Sequence, residues 1–294
     1  MGMKRRELLV LGGLSTIAAG MGRQWFQPVS AQAITPLPAS DRPLDLRFIA
    51  VADTGTGARG QYDVAAAMER YRRANPYKLA VLAGDNIYNN GEIEKIQAVF
   101  ERPYAPLLKS GVKFRAVLGN HDIRTNNGND QVRYPGFNMT GRYYQFQEGP
   151  VAFFALDTNG NADWNKQLTW LDRALQASNA PWKVVFGHHP IYSSGFYGVN
   201  RTLLGRLVPL FKRHGVQLYI SGHDHSYERT QPIDGTTYLI VGAGAGLRPV
   251  GRSSWTAQSA STLSFAGLEV YGNELRIQTF DKDSRLIDQG QIFA

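Results

Sequence analysis

The side chains best able to do chemistry in this 294-residue chain stand just past short apolar runs. The run Leu79-Ala80-Val81-Leu82-Ala83 stops at Gly84, a carboxylate follows at Asp85, and Tyr88 comes three residues later. A carboxylate has two oxygens and can hold two cations at once. A phenol, with a pKa of about 10, is a poor ligand for Zn²⁺ or Mg²⁺. It becomes a good one where a hard trivalent ion such as Fe³⁺ strips its proton. Asp85 can therefore bridge two metals, and Tyr88 can mark one of them as ferric. Alone, the pair is weak and better suits a strand-ending Asp that caps a turn with a Tyr packed beneath it. Four more apolar runs end the same way, at Asp53, at Asn120, at His188 and at the pair His223/His225. Two carboxylates, one amide, three imidazoles and one phenol are about what two octahedral cations need when one ligand is shared and water fills the rest.

These residues meet only if the runs are strands ending at one edge, the usual place for a site in a layered α/β protein. Residues 44–52, 79–83, 112–118, 151–156, 182–186, 216–220 and 238–241 read as strands, and 142–147 as another. Helical spacing of apolar residues marks 61–74, 164–175 and 202–213, the last interrupted or started by Pro209. Residues 92–108 suit a helix broken near Pro103 and Pro106. Residues 123–141, rich in Asn, Gly and Arg, read as a loop over the site. The tail 265–292 reads as three antiparallel strands with turns near Gly272-Asn273 and at 281–284. Helices and strands alternate early and strands alone dominate late. An α/β (α+β) fold of two packed mixed β-sheets flanked by helices, a four-layer sandwich, is therefore expected over residues 44–294.

Composition bounds the rest. Cysteine is absent, so no disulfide holds the fold and no thiolate can bind a metal. Apolar residues make up 43%, enough for a substantial core. Residues 1–33 read as an export leader: a basic head at Lys4-Arg5-Arg6, an apolar stretch too short to span a bilayer, and a small-x-small site at Ala31-Gln32-Ala33. Arg5-Arg6 before Glu7-Leu8-Leu9 resembles the twin-arginine signal, a route that carries folded proteins to the periplasm or beyond. An ordinary secretory signal and an uncleaved anchor are the alternatives. Residues 34–43, rich in proline, read as a tether. The whole chain carries +8, and loss of the leader's four cations and one acid leaves +5. This charge is spread rather than clustered, which argues against nucleic acid and suits an anionic substrate.

Five blocks in order resemble the purple acid phosphatases, within the wider calcineurin-like metallophosphoesterases: Asp53-Thr54-Gly55, Gly84-Asp85-Asn86-Ile87-Tyr88, Gly119-Asn120-His121-Asp122, Phe186-Gly187-His188 and Gly222-His223-Asp224-His225. The chain looks like the small, tartrate-resistant type, without the extra N-terminal β-domain of large plant members. The resemblance implies that Asp53, Tyr88 and His225 hold Fe(III), that Asn120, His188 and His223 hold a divalent Fe, Mn or Zn, and that Asp85 bridges. It further implies that His121 touches a phosphoryl oxygen and that Asp122 orients it. His189 stands where the small relatives usually have tyrosine; it either lines the substrate pocket or packs. Tyr197 falls near where they place a leaving-group histidine, which leaves the general acid open. His214, at a helix end, reads as solvent-facing. The glycines at 242–246 lack a following Lys-Ser/Thr and read as a turn near the site rather than a phosphate loop.

The activity expected on this reading is hydrolysis of a small phosphomonoester by a metal-bound hydroxide, with an acidic optimum because ferric iron acidifies water more than zinc does. The protein is read as a monomer with no nucleic-acid partner and, once the leader is removed, no membrane span. Two rivals stand beside it: a phosphodiesterase or nucleotide hydrolase on the same metals, and a metal-loaded binding protein without activity.

Overall fold

The computed structural model describes residue 34 and residues 37–294. The export leader expected at 1–33 lies outside the described residues. Residues 34–294 form one compact unit.

Six strands make the first sheet. β1 (Leu46–Val51), β2 (Leu79–Leu82) and β3 (Lys113–Ala116) run parallel. The tail strands β11 (Ser264–Tyr271), β12 (Glu274–Asp281) and β13 (Leu286–Phe293) extend it antiparallel, in the order β13-β12-β11-β1-β2-β3. The second sheet has seven: β4 (Tyr144–Glu148), β5 (Val151–Ala155), β6 (Trp182–Phe186), β7 (Leu218–Ser221), β8 (Tyr227–Thr230), β9 (Thr237–Val241) and β10 (Thr256–Ala260). Their order is β10-β8-β9-β7-β6-β5-β4, with β5, β6, β7 and β9 parallel. Near-continuous apolar runs in β2, β5 and β9 reflect burial on both faces. Phe48 of β1 meets Phe153 of β5 edge to face, ring centroids 5.1 Å apart, inside the core between the sheets.

Helices cover the outer faces. On α1 (Arg59–Ala74), Val64, Ala67, Met68 and Tyr71 are buried at helical spacing, and Tyr71 packs on Phe265 and Phe280 of the first sheet. On the second sheet, α4 (Trp164–Ala177) and α5 (Arg201–His214) bury Leu171, Leu175, Leu207 and Phe211 against Val185 and Tyr219. Both have side-chain N-caps: Asp163 accepts from the Lys166 N–H and Asn200 from the Leu203 N–H. Gly215 closes α5 in the left-handed region. Pro209 lies inside α5 and does not interrupt it; the residue four back, whose carbonyl meets the proline ring, is Gly205.

Several expectations change. The stretch 92–108 is not one broken helix: it winds into a 3₁₀ turn (Ile93–Lys95), a π-turn (Gln97–Glu101) and the short α2 (Ala105–Lys109). The loop 123–141 contains a turn of helix, α3 (Asn129–Arg133), between 3₁₀ turns. β8 and β10 lie where no strand was expected. His214 is not solvent-facing: its Nε2 lies 2.6 Å from Asp172 Oδ1, tying α5 to α4. Part of the stretch read as a tether lies against the tail strands, where Leu37 N–H donates to Gln289 and Arg276 donates to the Pro38 carbonyl. Among the described residues, no helix is long and apolar enough to cross a membrane.

Candidate metal centre

The C-terminal ends of the parallel strands of both sheets face each other, and the seven candidate ligands meet there. The Tyr88 hydroxyl lies 3.1 Å from Asp53 Oδ1 and 3.1 Å from His225 Nε2. Beside it, His188 Nε2 lies 3.2 Å from Asn120 Oδ1, 3.2 Å from His223 Nδ1 and 3.5 Å from Asp85 Oδ2. Donor atoms of Asp53, Asp85 and His188 all fall within 4.8 Å of one another, which joins the two clusters. Asp53, Asp85 and Asn120 follow strands of the first sheet; His188, His223 and His225 follow strands of the second.

The chain bends hard to achieve this. Asp53, Asp85 and His223 have φ of 57°, 52° and 69°, a left-handed region that side-chain-bearing residues enter rarely and at a cost of about 1–3 kcal/mol each. Local hydrogen bonds hold them: Asp53 N–H donates to the Gly84 carbonyl at 3.0 Å, His223 N–H donates to Asp53 Oδ2 at 2.8 Å, and His121 N–H donates to Asp85 Oδ1 at 2.9 Å. The glycines of the blocks are demanded by closeness. A Cβ at Gly84 would lie 2.6 Å from His188 Nδ1, and one at Gly119 would lie 2.1 Å from Asp85 Oδ1.

The electrostatics ask for positive charge. Asp53 and Asp85 are each 1% exposed, and an ion so buried costs several kcal/mol unless it is compensated. Burial works to raise the Asp85 carboxyl, yet the charge and hydrogen bonding of His188 hold it well below the usual range. Burial likewise works to lower His188, and the charges of Asp85 and Asp53 lift it instead to about 10. A proton there meets part of the demand that a cation would meet. Burial first, then the Asp53 and Asp85 charges, push the Tyr88 phenol far above its ordinary value, so it keeps its proton until a strong cation arrives. His188 Nδ1 lies 2.9 Å from the Ala83 carbonyl; an N–H donated there leaves the Nε2 lone pair facing the cluster. Burial and its imidazole neighbours hold His223 well below its ordinary value, in the neutral form a ligand needs. The donor set fits a pair of cations.

His121 lies at the rim, its ring against Tyr88 and its Nδ1 2.6 Å from the Asn89 carbonyl. The expectation that Asp122 orients this ring needs correction. The Asp122 carboxylate points inward, fully buried, and accepts N–H groups from Asn86, Ile87 and Gly119 and the amides of Gln131 and Asn86. It organises the two loops that carry Asp85 and Asn120. Burial and the Asp85 charge push it up to about 7, against the pull of those donors. His189 is half-buried, its ring centroid 4.5 Å from that of His223.

Three residues that sequence reasoning passed over complete the site. Thr158 Oγ1 accepts the N–H groups of His188 and His189 and lies 2.9 Å from His189 Nδ1. It follows an apolar run, so the strand-end rule that found the others applied to it too. Asp224, between His223 and His225, is buried and accepts from Ser193, Phe196 and Tyr197. Arg248, with no signal in its neighbourhood beyond the glycines before it, lines a cavity of about 750 Å³ together with Asp53, Tyr88, Lys95, His121 and His225.

A family model described as calcineurin-like phosphoesterase matches residues 46–227, a span containing all seven candidate ligands. Tartrate-resistant acid phosphatase type 5 of Mus musculus is 28% identical over 276 residues, covering 79% of this chain and 80% of that protein. Purple acid phosphatase 7 of Arabidopsis thaliana is 30% identical over 235 residues, covering 68% of this chain and 70% of that protein. Among solved structures, purple acid phosphatase PPD1 from yellow lupin seeds shares the fold with a TM-score of 0.71 at 19% identity, over 84% of this chain and 53% of that one.

Proposed function

This chain belongs to the calcineurin-like phosphoesterases and, within them, to the purple acid phosphatases, and from that footing we propose that it hydrolyses phosphomonoesters at a two-cation centre built from Asp53, Asp85, Tyr88, Asn120, His188, His223 and His225. The observation that carries the reading is the pairing of two donor clusters: Tyr88 with Asp53 and His225 at 3.1 Å, and His188 with Asn120 and His223 at 3.2 Å. Asp53, Tyr88 and His225 suit Fe(III), because the phenolate is a hard, anionic donor. Asn120, His188 and His223 suit a divalent Fe, Mn or Zn, and Asp85 suits the shared position. When bound, such a pair clamps the phosphoryl oxygens and supplies an acidified water as nucleophile.

The chain's own groups do the rest. Thr158 Oγ1 already accepts two N–H groups, so its hydroxyl hydrogen is left for His189 Nδ1. That fixes the proton of His189 on Nε2. Burial first of all holds the ring down at about 3 and therefore neutral, a donor for a phosphoryl oxygen. His121, its Nδ1 2.6 Å from the Asn89 carbonyl and its Nε2 3.4 Å from the Arg124 guanidinium, stands at the cavity wall, where the ring can meet a phosphoryl oxygen. Lys95 and Arg248 make the cavity wall attractive to an anion. Export through a twin-arginine route suits a protein that takes up iron before crossing the membrane.

Metal content measured together with turnover on glycerol 2-phosphate and on a diester tests this reading. Two metals per chain and faster monoester cleavage are expected; faster diester cleavage would move the assignment to a phosphodiesterase. The iron-loaded protein should be violet from phenolate-to-iron charge transfer. Tyr88→Phe should remove that absorption and keep most of the fold, because the ring still packs against His121. A colourless iron-loaded wild type would refute the ferric assignment.

A further inference from the structure

Three of the six large apolar side chains that face solvent among the described residues are Phe196, Tyr197 and Leu247, with Phe196 77% exposed. Leaving such surface in water is unfavourable, and this segment is not held loosely. The N–H groups of Phe196 and Tyr197 donate to the Asp224 carboxylate at 3.1 and 3.4 Å, and the Ser193 hydroxyl donates to it at 2.5 Å. Asp224 is 1% exposed and stands between His223 and His225, so the exposed rings are pinned to the same turn as two candidate ligands.

The rings continue the site outward. Tyr197 lies flat on the His223 imidazole, centroids 3.9 Å apart and planes 23° apart, and Phe196 stands edge-on to Tyr197 at 5.1 Å. The Arg248 guanidinium lies 5.2 Å from the Tyr197 ring and 5.7 Å from the Phe196 ring, and Arg248 also walls the cavity. An aromatic face, a cation and the phosphate end of the cleft thus follow one another. A protein partner would need roughly 800 Å² on each side, far more than two rings supply, whereas one flat ring of a small molecule matches the surface in size and chemistry.

We propose that Phe196, Tyr197 and Arg248 form a leaving-group subsite that selects phosphomonoesters whose alcohol carries a flat ring, an aryl group or a nucleobase. This rests on the phosphomonoesterase reading above. Phe196 stacks on the ring, Arg248 holds the bridging side of the phosphate, and Asp224 is the positioning residue that keeps both aromatic residues at the rim.

The test uses the metal-loaded full chain and Phe196→Ala, a change at an exposed position that spares the core. With 1-naphthyl phosphate, kcat/KM should fall about tenfold, mainly through KM, the scale of one lost stacking contact. With glycerol 2-phosphate it should change less than twofold, and Phe196→Trp should restore the naphthyl ester. AMP serves as a third arm: a loss shared with AMP extends the subsite to nucleobases, and a loss confined to the naphthyl ester assigns it to aryl alcohols. Binding gives a readout free of turnover, since benzylphosphonate affinity should weaken about tenfold in Phe196→Ala while methylphosphonate affinity stays put. Equal changes on ring-bearing and ring-free compounds, or no change on either, overturn the proposal. A wild type inactive on all three esters would count against the phosphatase reading, and the phosphonate comparison would still decide the subsite.

Discussion

Asp85→Asn should leave a folded protein that holds fewer than two metals per chain and has lost at least about 10³-fold in kcat/KM, the scale of several kcal/mol of charge stabilisation. The shape of the side chain survives in Asn, and its oxygen can still accept the His121 N–H that Asp85 Oδ1 accepts at 2.9 Å. What disappears is the negative charge and the second anionic oxygen, which faces His188 Nε2 at 3.5 Å. Only Asp85 and Asp53 contribute carboxylates to the linked group with His188, and Asp53 is already committed to the Tyr88 side at 3.1 Å. Elemental analysis after gel filtration, paired with turnover, checks the result. Two metals retained at full occupancy would mean that Asp85 is not shared.

Asp122→Ala should act on stability rather than on ligation. The wild-type carboxylate is fully buried and receives N–H groups from Asn86, Ile87, Gly119 and Gln131 at 2.8–3.0 Å. In either protonation state its oxygens accept. Alanine would strand these donors away from water, each costing about 1–3 kcal/mol where nothing replaces the bond. Partial relaxation brings the expected loss to about 3–5 kcal/mol, at the severe end for a single substitution. Urea unfolding should show a lower midpoint with little change in slope. Asp122→Asn should recover part of the loss, because the amide keeps one acceptor. Stability equal to wild type in the alanine variant would show that the loops of Asp85 and Asn120 are held by something else.

That Asp53, Asp85, Asn120, His188, His223 and His225 meet is legible in the sequence because each follows an apolar run that reads as a buried strand, and parallel strands deliver their ends to one edge. Asp122 departs from the role that the resemblance implies, because adjacency to His121 in the chain does not bring the two side chains together. The backbone after Asn120 turns the next two side chains opposite ways, His121 to the rim and Asp122 into the core. β8, with Tyr-Glu-Arg-Thr, and β10, with Thr-Ala-Gln-Ser-Ala, escaped notice because their polar side chains hide the strand period. Their partners are tertiary: Glu228 of β8 accepts from Ser194 and Thr256, and Arg229 pairs with Asp288 of the other sheet's tail strand. The stretch 92–108 carried helical spacing, but Pro103 and Pro106 remove two amide donors in one turn, and short turns of mixed pitch result. His214 reads as solvent-facing because helix ends usually are exposed, whereas the partner that covers it, Asp172, is 42 residues away in sequence.

Because the first sheet supplies Asp53, Asp85 and Asn120 and the second supplies the three candidate imidazoles, the gap between the sheets is also the gauge of the candidate site. Each donor cluster draws on both layers, Tyr88 and Asp53 with His225 and Asn120 with His188 and His223, so sliding one layer against the other would disturb both clusters at once. The interlocked rings of Phe48 and Phe153, which lie deep in the core and take no part in the chemistry, therefore help set the bite of the catalyst. In this architecture, core packing is calibration, and tolerance to sequence change should be narrowest along the seam where the two layers interdigitate.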